Sequence, residues 1–406
     1  MRQVTRVSSV RNKSQRALTL IMSALLVPFA MLMRCLRPWI FIRVGYFTAD
    51  RIGHFAFDLG YYIAERGEQS KSSRSLDLFF LEGTPANKQL AKMCRREVNV
   101  SPIFKVLFMA SQWLPDSDRH AVVPSRELTA SRDKSGLLAR SEEQLKFLPE
   151  EDLMGQAFLQ KIGCDDVSKV VCLIVRDSAY LSETQVGRDW SYHNFRDTSI
   201  DSYAGVACAL ADKGYWVLRM GKVVNQSFTV NHVRVLDYAN TSDRSDFLDI
   251  WLMANCSFVI STGLGLDSVA DIFRRPQVFV NYLPLIDLEA WGQYLTVPKH
   301  LFWEKTLRPL TFAEHLQHSS LNGHSYAQAG ILIKDLSSEE VTEAVIEFEE
   351  RLTGAHVSLE EDDHLQRRFW CALKESGKFD KYHGWIHPQA RVGKDFLKRT
   401  QDYFFD

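Results

Sequence analysis

The chain is without the signatures of several enzyme classes. No Gly-x-Gly-x-x-Gly opens its first strand–helix turn, which removes the simplest dinucleotide-binding reading. No Cys-x-x-Cys pair occurs and no His or Cys cluster has zinc spacing, so no metal and no cofactor is expected. The 7 cysteines are odd in number and scattered, several in apolar runs such as Val171-Cys172-Leu173. They read as reduced core thiols rather than a disulfide framework. A basic excess is missing too: the formal net charge is −1, which argues against a nucleic-acid partner. No internal repeat is visible. No small-x-small cleavage site follows the apolar run near the N-terminus, which disfavours a cleaved signal peptide.

Acidic residues are absent from residues 1–49, which hold eight of the 49 basic ones; the remainder is acidic. Within this basic stretch residues 17–33 carry no charge, close to the lower limit of about 17 residues for a spanning helix. Arg11, Lys13 and Arg16 precede the run, and Arg34, Arg37 and Arg43 follow it. Positive charge on both flanks gives no orientation. It suits a helix lying in or dipping into an anionic cytoplasmic surface through residues 11–43. The plainer reading is a helix packed on the globular part.

A length of 406 residues exceeds one ordinary core, so two domains are expected. Strand and helix patterns alternate: strands over 40–47, 78–81, 170–176, 216–220 and 233–238, helices over 52–66, 87–96, 201–213, 243–255 and 338–353. This implies parallel sheets covered on both faces. Residues 115–151 are polar and patternless, and read as a long loop or interdomain connection. The expected division is a membrane-associating segment 1–38, an α/β domain 39–165, a second α/β domain 166–355, and a tail 356–406 folding back on the first domain.

The most informative stretch is 258–285. It reads as a buried strand, a glycine turn, a short helix and a second buried strand. Gly263 and Gly265 allow a sharp turn and close approach of another group. Asp267 and Ser268 are suited to start the helix, whose unpaired N–H groups suit a phosphate. Ser261 and Thr262 precede the turn. Arg274-Arg275-Pro276 closes the helix.

This segment, Ser-Thr-Gly-x-Gly-x-Asp-Ser, then Arg-Arg-Pro, then Val-Asn-Tyr-Leu-Pro-Leu, resembles the signature of a bacterial family of largely uncharacterised glycosyltransferases often linked to surface polysaccharides. The likeness extends to Asp50-Arg51-Ile52-Gly53-His54, Val175-Arg176-Asp177-Ser178, Tyr192-His193-Asn194-Phe195-Arg196-Asp197, Ile200-Asp201-Ser202-Tyr203 and Leu218-Arg219-Met220-Gly221. It continues through Ala329-Gly330-Ile331 and His383-Gly384, so it runs from about residue 43 to the C-terminus. The resemblance implies two Rossmann-like α/β domains facing a cleft, the GT-B-like arrangement. It implies a nucleotide-sugar donor on the second domain, and a glycan or lipid-linked acceptor on the first.

Among the remaining polar residues, Arg176 and Asp177 follow a predicted strand, where open sheets carry their sites. Arg176 could pair with a donor phosphate, or simply with Asp177. Arg219 ends another strand and could neutralise a leaving diphosphate without a metal, or form a salt bridge. Asp197 reads as a local cap. His54, at a helix start, could be the general base toward an acceptor hydroxyl, with Asp58 four residues on to orient its ring. The bland alternative is a capping histidine. Two other classes stay open: an epimerase or dehydrogenase acting on nucleotide sugars, and a non-catalytic membrane-attached protein that binds them.

Overall fold

The structure is a computed structural model. It describes residues 2–68, 74–177, 191–319 and 322–405, of which 2–17 and 191–193 by backbone alone. The chain divides into two compact units, Met1–Ser131 and Arg132–Asp406.

In the first unit β1 (Phe41–Thr48), β2 (Ser75–Glu82), β3 (Asn99–Val100) and β4 (Ala121–Val122) form a parallel sheet in the order β3-β2-β1-β4. Its helices are α1 (Arg2–Cys35), α2 (Ile52–Glu68), α3 (Lys88–Glu97) and α4 (Ile103–Gln112). α2 buries Phe55, Leu59 and Tyr62, one stripe at helical spacing. Asn87 starts α3 by accepting the Leu90 N–H at 2.9 Å. Asp77, buried within β2, accepts from Arg43 Nε and Nη2 at 2.8 and 2.6 Å and from the Tyr62 hydroxyl at 2.6 Å. Gly45 lets β4 approach β1, since a Cβ there would stand 2.8 Å from Val122.

In the second unit β5 (Val170–Ile174), β6 (Trp216–Arg219), β7 (Val235–Leu236), β8 (Phe258–Ser261), β9 (Gln277–Tyr282), β10 (Tyr294–Pro298) and a late strand Arg391–Val392 make a seven-stranded parallel sheet. The late strand pairs with β10, and the order inward from it runs β10-β9-β8-β5-β6-β7. β5, β8, β9 and β10 are buried along their whole length, as apolar strands between helix layers must be. Both units are thus parallel α/β layers, as the alternation predicts.

Two expectations on domain limits change. The second unit begins at Arg132, ahead of the expected 166, because the helix Pro149–Ile162 belongs to it: Gly155 lies against the Trp251 ring, whose Nε1 donates to Asp152 at 3.0 Å. The tail 356–406 builds the second unit rather than returning to the first. Its strand edges the large sheet, and its last helix, Lys394–Phe404, meets the helix Ser338–Thr353 through Lys394 N to Glu347 (2.8 Å) and Arg399 to Glu343 (2.7 Å). Residues 115–151 are also more ordered than a loop: they hold a 3-10 turn Ser117–His120, β4, and short helices Ser125–Thr129 and Leu137–Arg140. Their helices are set by remote or local carboxylates, which hydrophobic periodicity does not report. Asp133, for example, accepts from Leu137 N at 2.9 Å and Leu138 N at 2.7 Å.

Candidate active site

The large sheet reverses its strand order beside β5. β6 and β7 are added on one side, and β8, β9 and β10 on the other. Open parallel sheets carry their ligand crevice at such a point, outside the carboxyl ends of the strands. The sequence-predicted residues of the second unit gather there. Arg176 and Asp177 follow β5, Arg219 ends β6, and Ser261 ends β8 with Thr262 next. The β5 and β8 ends are joined directly: Arg176 N donates to Thr262 Oγ1 at 3.0 Å.

A cavity of about 270 Å³ lies at this edge, lined by Val175, Asp177, Asp197, Thr198, Arg219 and Asn225 among others. Its charges are paired in an alternating row. Arg219, 1% exposed, donates to Asp237 at 3.1 Å and reaches Asp177 at 3.8 Å. Asp177 also accepts from Asn225 N at 2.9 Å. Arg176 stands 3.2 Å from Asp197, with its Nε–H not aimed at the oxygen. Burial lowers the Arg176 pKa and raises that of Asp197, each partly offset by the other's charge. The two arginines are therefore held by carboxylates, and a ligand phosphate would have to compete with Asp197 and Asp177.

Asp197, read from sequence as a cap, is a wall residue of this cavity. Its neighbours hold it there. Lys299, almost wholly buried, donates to the Asp197 carbonyl at 2.8 Å and pairs with Asp335 at 2.7 Å. Asn281, at φ 58° at the end of β9, donates to the Tyr203 hydroxyl at 3.2 Å and accepts from Leu336 N at 2.7 Å. Lys299, Asn281 and Asp237 were not legible as site residues. The one signal for Asp197 was its Arg-Asp dipeptide, which repeats Arg176-Asp177. Ser178 lies outside the described residues, and so do the side chains of Tyr192 and His193.

The glycine turn differs from the expected open phosphate cradle. The helix that follows, Asp267–Ile272, is only six residues long. Asp267, 1% exposed, does not cap it but turns back on the loop, taking the Ser261 hydroxyl at 2.6 Å and Leu264 N at 2.5 Å. Ser261 Oγ accepts Gly263 N at 3.0 Å. Gly263 has φ 78°, and a Cβ there would lie 2.7 Å from the Tyr282 ring, so this glycine is fixed by fold rather than by a ligand. Gly265 is exposed and Ser268 half-buried on the first helical turn. Arg274 of the Arg-Arg-Pro element anchors the segment 138–142, through Leu138 O at 2.6 Å and Ser141 Oγ at 3.0 Å.

Burial drives Asp267 up to about 8 and Asp271 up to about 7, and the adjacent Glu289 is raised by burial and by both of them. Asp271 accepts from Gln277 at 2.6 Å and Tyr294 at 2.5 Å. A raised folded pKa means stability present at low pH and lost as pH rises through that value. The second unit should therefore lose stability between about pH 4, where the unfolded carboxyls ionise, and about pH 8. Asp267→Asn copies the protonated form: its NH2 can donate to Ser261 Oγ, reversing the hydroxyl bond that Asp267 accepts, while its oxygen takes Leu264 N. It should flatten that loss, and chemical denaturation across this pH range would show it; an unchanged slope would mean that Asp267 is ionised in the fold.

In the first unit His54 is the fourth residue after Asp50, on the opening turn of α2. Its Nδ1 faces Ser131 Oγ at 3.1 Å. Burial, with Arg126 and Arg51 adding, lowers its pKa to about 4, so the ring is neutral at pH 7. Asp58 does not orient it. Its carboxylate, almost wholly buried, takes the Ser125 hydroxyl at 2.5 Å and Arg126 N at 2.9 Å, at the start of the short helix Ser125–Thr129. The i,i+4 spacing put both groups on one helix flank, but the incoming 125–126 backbone claimed the carboxylate.

One Asp-x-Asp triplet occurs, Asp116-Ser117-Asp118, on an exposed turn of the first unit. Among the described residues no group of three or more His, Cys, Asp and Glu is placed to hold a metal.

No protein-family model matches the chain, and no curated protein matches it. Among solved structures it is similar to a family 9 glycosyl transferase from Veillonella parvula, with 10% identity, 64% of this chain and 85% of that one covered, and a TM-score of 0.40. It is also similar to the ADP-heptose LPS heptosyltransferase II of E. coli (12% identity, 59% and 84% covered, TM-score 0.33). A third is the iron-containing dodecameric glycosyltransferase TibC of enterotoxigenic E. coli (13% identity, 78% and 80% covered, TM-score 0.37). All three are glycosyltransferases; the residue roles below rest on geometry and sequence.

Proposed function

We propose that this chain is a glycosyltransferase that moves a sugar from a nucleotide-sugar donor to a lipid-linked or surface-polysaccharide precursor, without a metal, at the cytoplasmic face of a bacterial inner membrane. The observation that carries the donor site is the convergence of Arg176, Asp177, Arg219, Ser261 and Thr262 on the carboxyl ends of β5, β6 and β8, where the strand order reverses beside a cavity of about 270 Å³. That volume fits a single sugar or ribose ring, for whose hydroxyls Asp177 and Asp197 are suited acceptors. The exposed turn at Gly265 would take the diphosphate, with Arg176 and Arg219 offsetting its charge as the leaving group departs. His54, neutral at pH 7, would take the acceptor proton. The ordered sequence resemblance supports the same reaction class. The membrane placement is supported by helix α1, whose Leu18–Cys35 part is long and apolar enough to cross a bilayer by length and composition.

Gly265→Val tests the donor site. Its position is exposed, so the melting transition should stay where it is. Affinity for nucleotide sugars, measured by calorimetry over a panel of bases, should fall about tenfold or more, or about 1.4 kcal/mol. Unchanged affinity would move the diphosphate away from this turn.

A further inference from the structure

Helix α1 has two unlike faces. Inward lie Ser23, Leu26, Ala30 and Met33, spaced at i, i+3, i+7 and i+10. Ala30 and Met33 are buried with Val44, Leu107 and Ala110, and Leu26 packs against the same cluster. Arg34 locks the end of α1 to the end of α4, donating to Ser111 O at 3.0 Å and Pro115 O at 3.1 Å. Outward lie Leu18, Met22, Leu25, Phe29 and Leu32 at i, i+4, i+7, i+11 and i+14, all exposed; Leu25 is 63% and Phe29 59% exposed. Two tryptophans stand at the locked end: Trp39 just past α1, 66% exposed, and Trp113 just past α4, 50% exposed. Ile103, at the start of α4, is exposed as well.

A helix fixed along one flank to β1 and α4 cannot cross a bilayer without drawing those elements into the hydrocarbon, where the sheet's polar edges would go unsatisfied. The exposed apolar face is broad, taking in Leu20, Ile21 and Met31 beside that line; with the opposite flank held by the fold and basic residues at both ends, it has the form of a helix lying in the plane of the interface. Tryptophans sit at headgroup level, with their rings in the apolar zone and their N–H groups in water. The charge chooses the occupant: residues 1–49 carry eight basic residues and no acid. Anionic headgroups attract each basic residue near the surface, whereas a second copy would bring like charges together.

We propose that the outward stripe of α1, together with Trp39, Ile103 and Trp113, docks in plane on an anionic lipid surface. The inference rests on the membrane placement proposed above. It extends that placement from the segment 11–43 to α4, and it assigns an in-plane helix rather than a crossing one.

The test uses the full chain and vesicles of phosphatidylglycerol or of phosphatidylcholine, with no nucleotide sugar present. The wild-type chain should sediment with the anionic vesicles and bind the neutral ones more weakly. L25E/F29E should weaken binding to anionic vesicles about tenfold or more, since two large apolar groups leave the lipid. Its melting transition should not move, because both positions lie outside the core. Brominated anionic lipid should quench the tryptophan emission, and Trp113→Phe should remove a measurable part of that quenching. Equal vesicle binding by wild type and L25E/F29E would overturn the proposal. So would quenching unaffected by Trp113→Phe, which would take α4 off the surface. A lipid-free dimer converted to monomer by L25E/F29E would make a second copy the occupant, and cleavage of residues 1–16 from the periplasmic side of spheroplasts would make the helix a span. Loss of vesicle binding with nucleotide-sugar affinity intact would leave the glycosyltransferase reading standing.

Discussion

Arg219→Met is expected to destabilise the second unit by about 3 kcal/mol, at the low end of the range for breaking a buried ion pair. The guanidinium is among the largest fully buried side chains and serves Asp237 at 3.1 Å and Asp177 at 3.8 Å. Its removal leaves two carboxylates facing a cavity with their main cation gone. The remaining donors limit the damage: Asp237 keeps Phe228 N at 2.8 Å and the Asn240 side-chain amide at 2.7 Å, and Asp177 keeps Asn225 N at 2.9 Å. Arg219→Lys separates scaffold from ligand contact. It retains the charge and should restore part of the stability, but it loses the planar fork that can address Asp237 and a phosphate together. Denaturant midpoints and nucleotide-sugar calorimetry on both variants decide between the roles. Nucleotide-sugar affinity unchanged in Arg219→Lys would make Arg219 purely structural, and wild-type stability in Arg219→Met would show that the pair contributes nothing net.

The second large effect concerns turnover at His54. Forming a glycosidic bond requires the acceptor hydroxyl to lose its proton, and a positioned base contributes about 10²–10⁴-fold. A ring whose pKa is lowered to about 4 is neutral at pH 7 but a weaker base than one tuned to neutrality, so His54→Ala should reduce kcat by about 10². Donor affinity should barely change. His54→Asn retains a hydrogen-bonding group toward Ser131, so a merely structural histidine would be rescued by it, whereas a base would not. The pH profile adds a second check. Activity carried by neutral His54 should hold from pH 8 downward and fall only as pH drops through about 4, where the ring protonates. Wild-type turnover in His54→Asn would remove His54 from the mechanism. Asp58 would not inherit the role, because its carboxylate is bound to Ser125 and Arg126.

The sequence by itself determined the layers. Alternating apolar strands and amphipathic helices permit little other than parallel sheets covered on both faces, and β5, β8 and β9 lie within or close to the predicted segments. It also determined which strand ends carry polar residues, since Arg176, Arg219 and Ser261 each stand where an apolar run stops. Only the tertiary structure decided what those residues touch. Asp267 reads as an open helix cap, yet it is folded back on Ser261 and Leu264; Asp58 reads as a partner for His54, yet it holds the Ser125 hydroxyl 67 residues away. Asp197 reads as a cap, yet it is set against Arg176 by Lys299 from the far end of β10. Likewise the 17-residue uncharged run announces an apolar helix, but which of its flanks is free was fixed by packing on α4. The reason is common to all four. Periodicity reports how a segment meets water and core, whereas the partner of a buried polar group is whichever donor or acceptor the chain brings there, and that pairing must be satisfied at long range before it can be read.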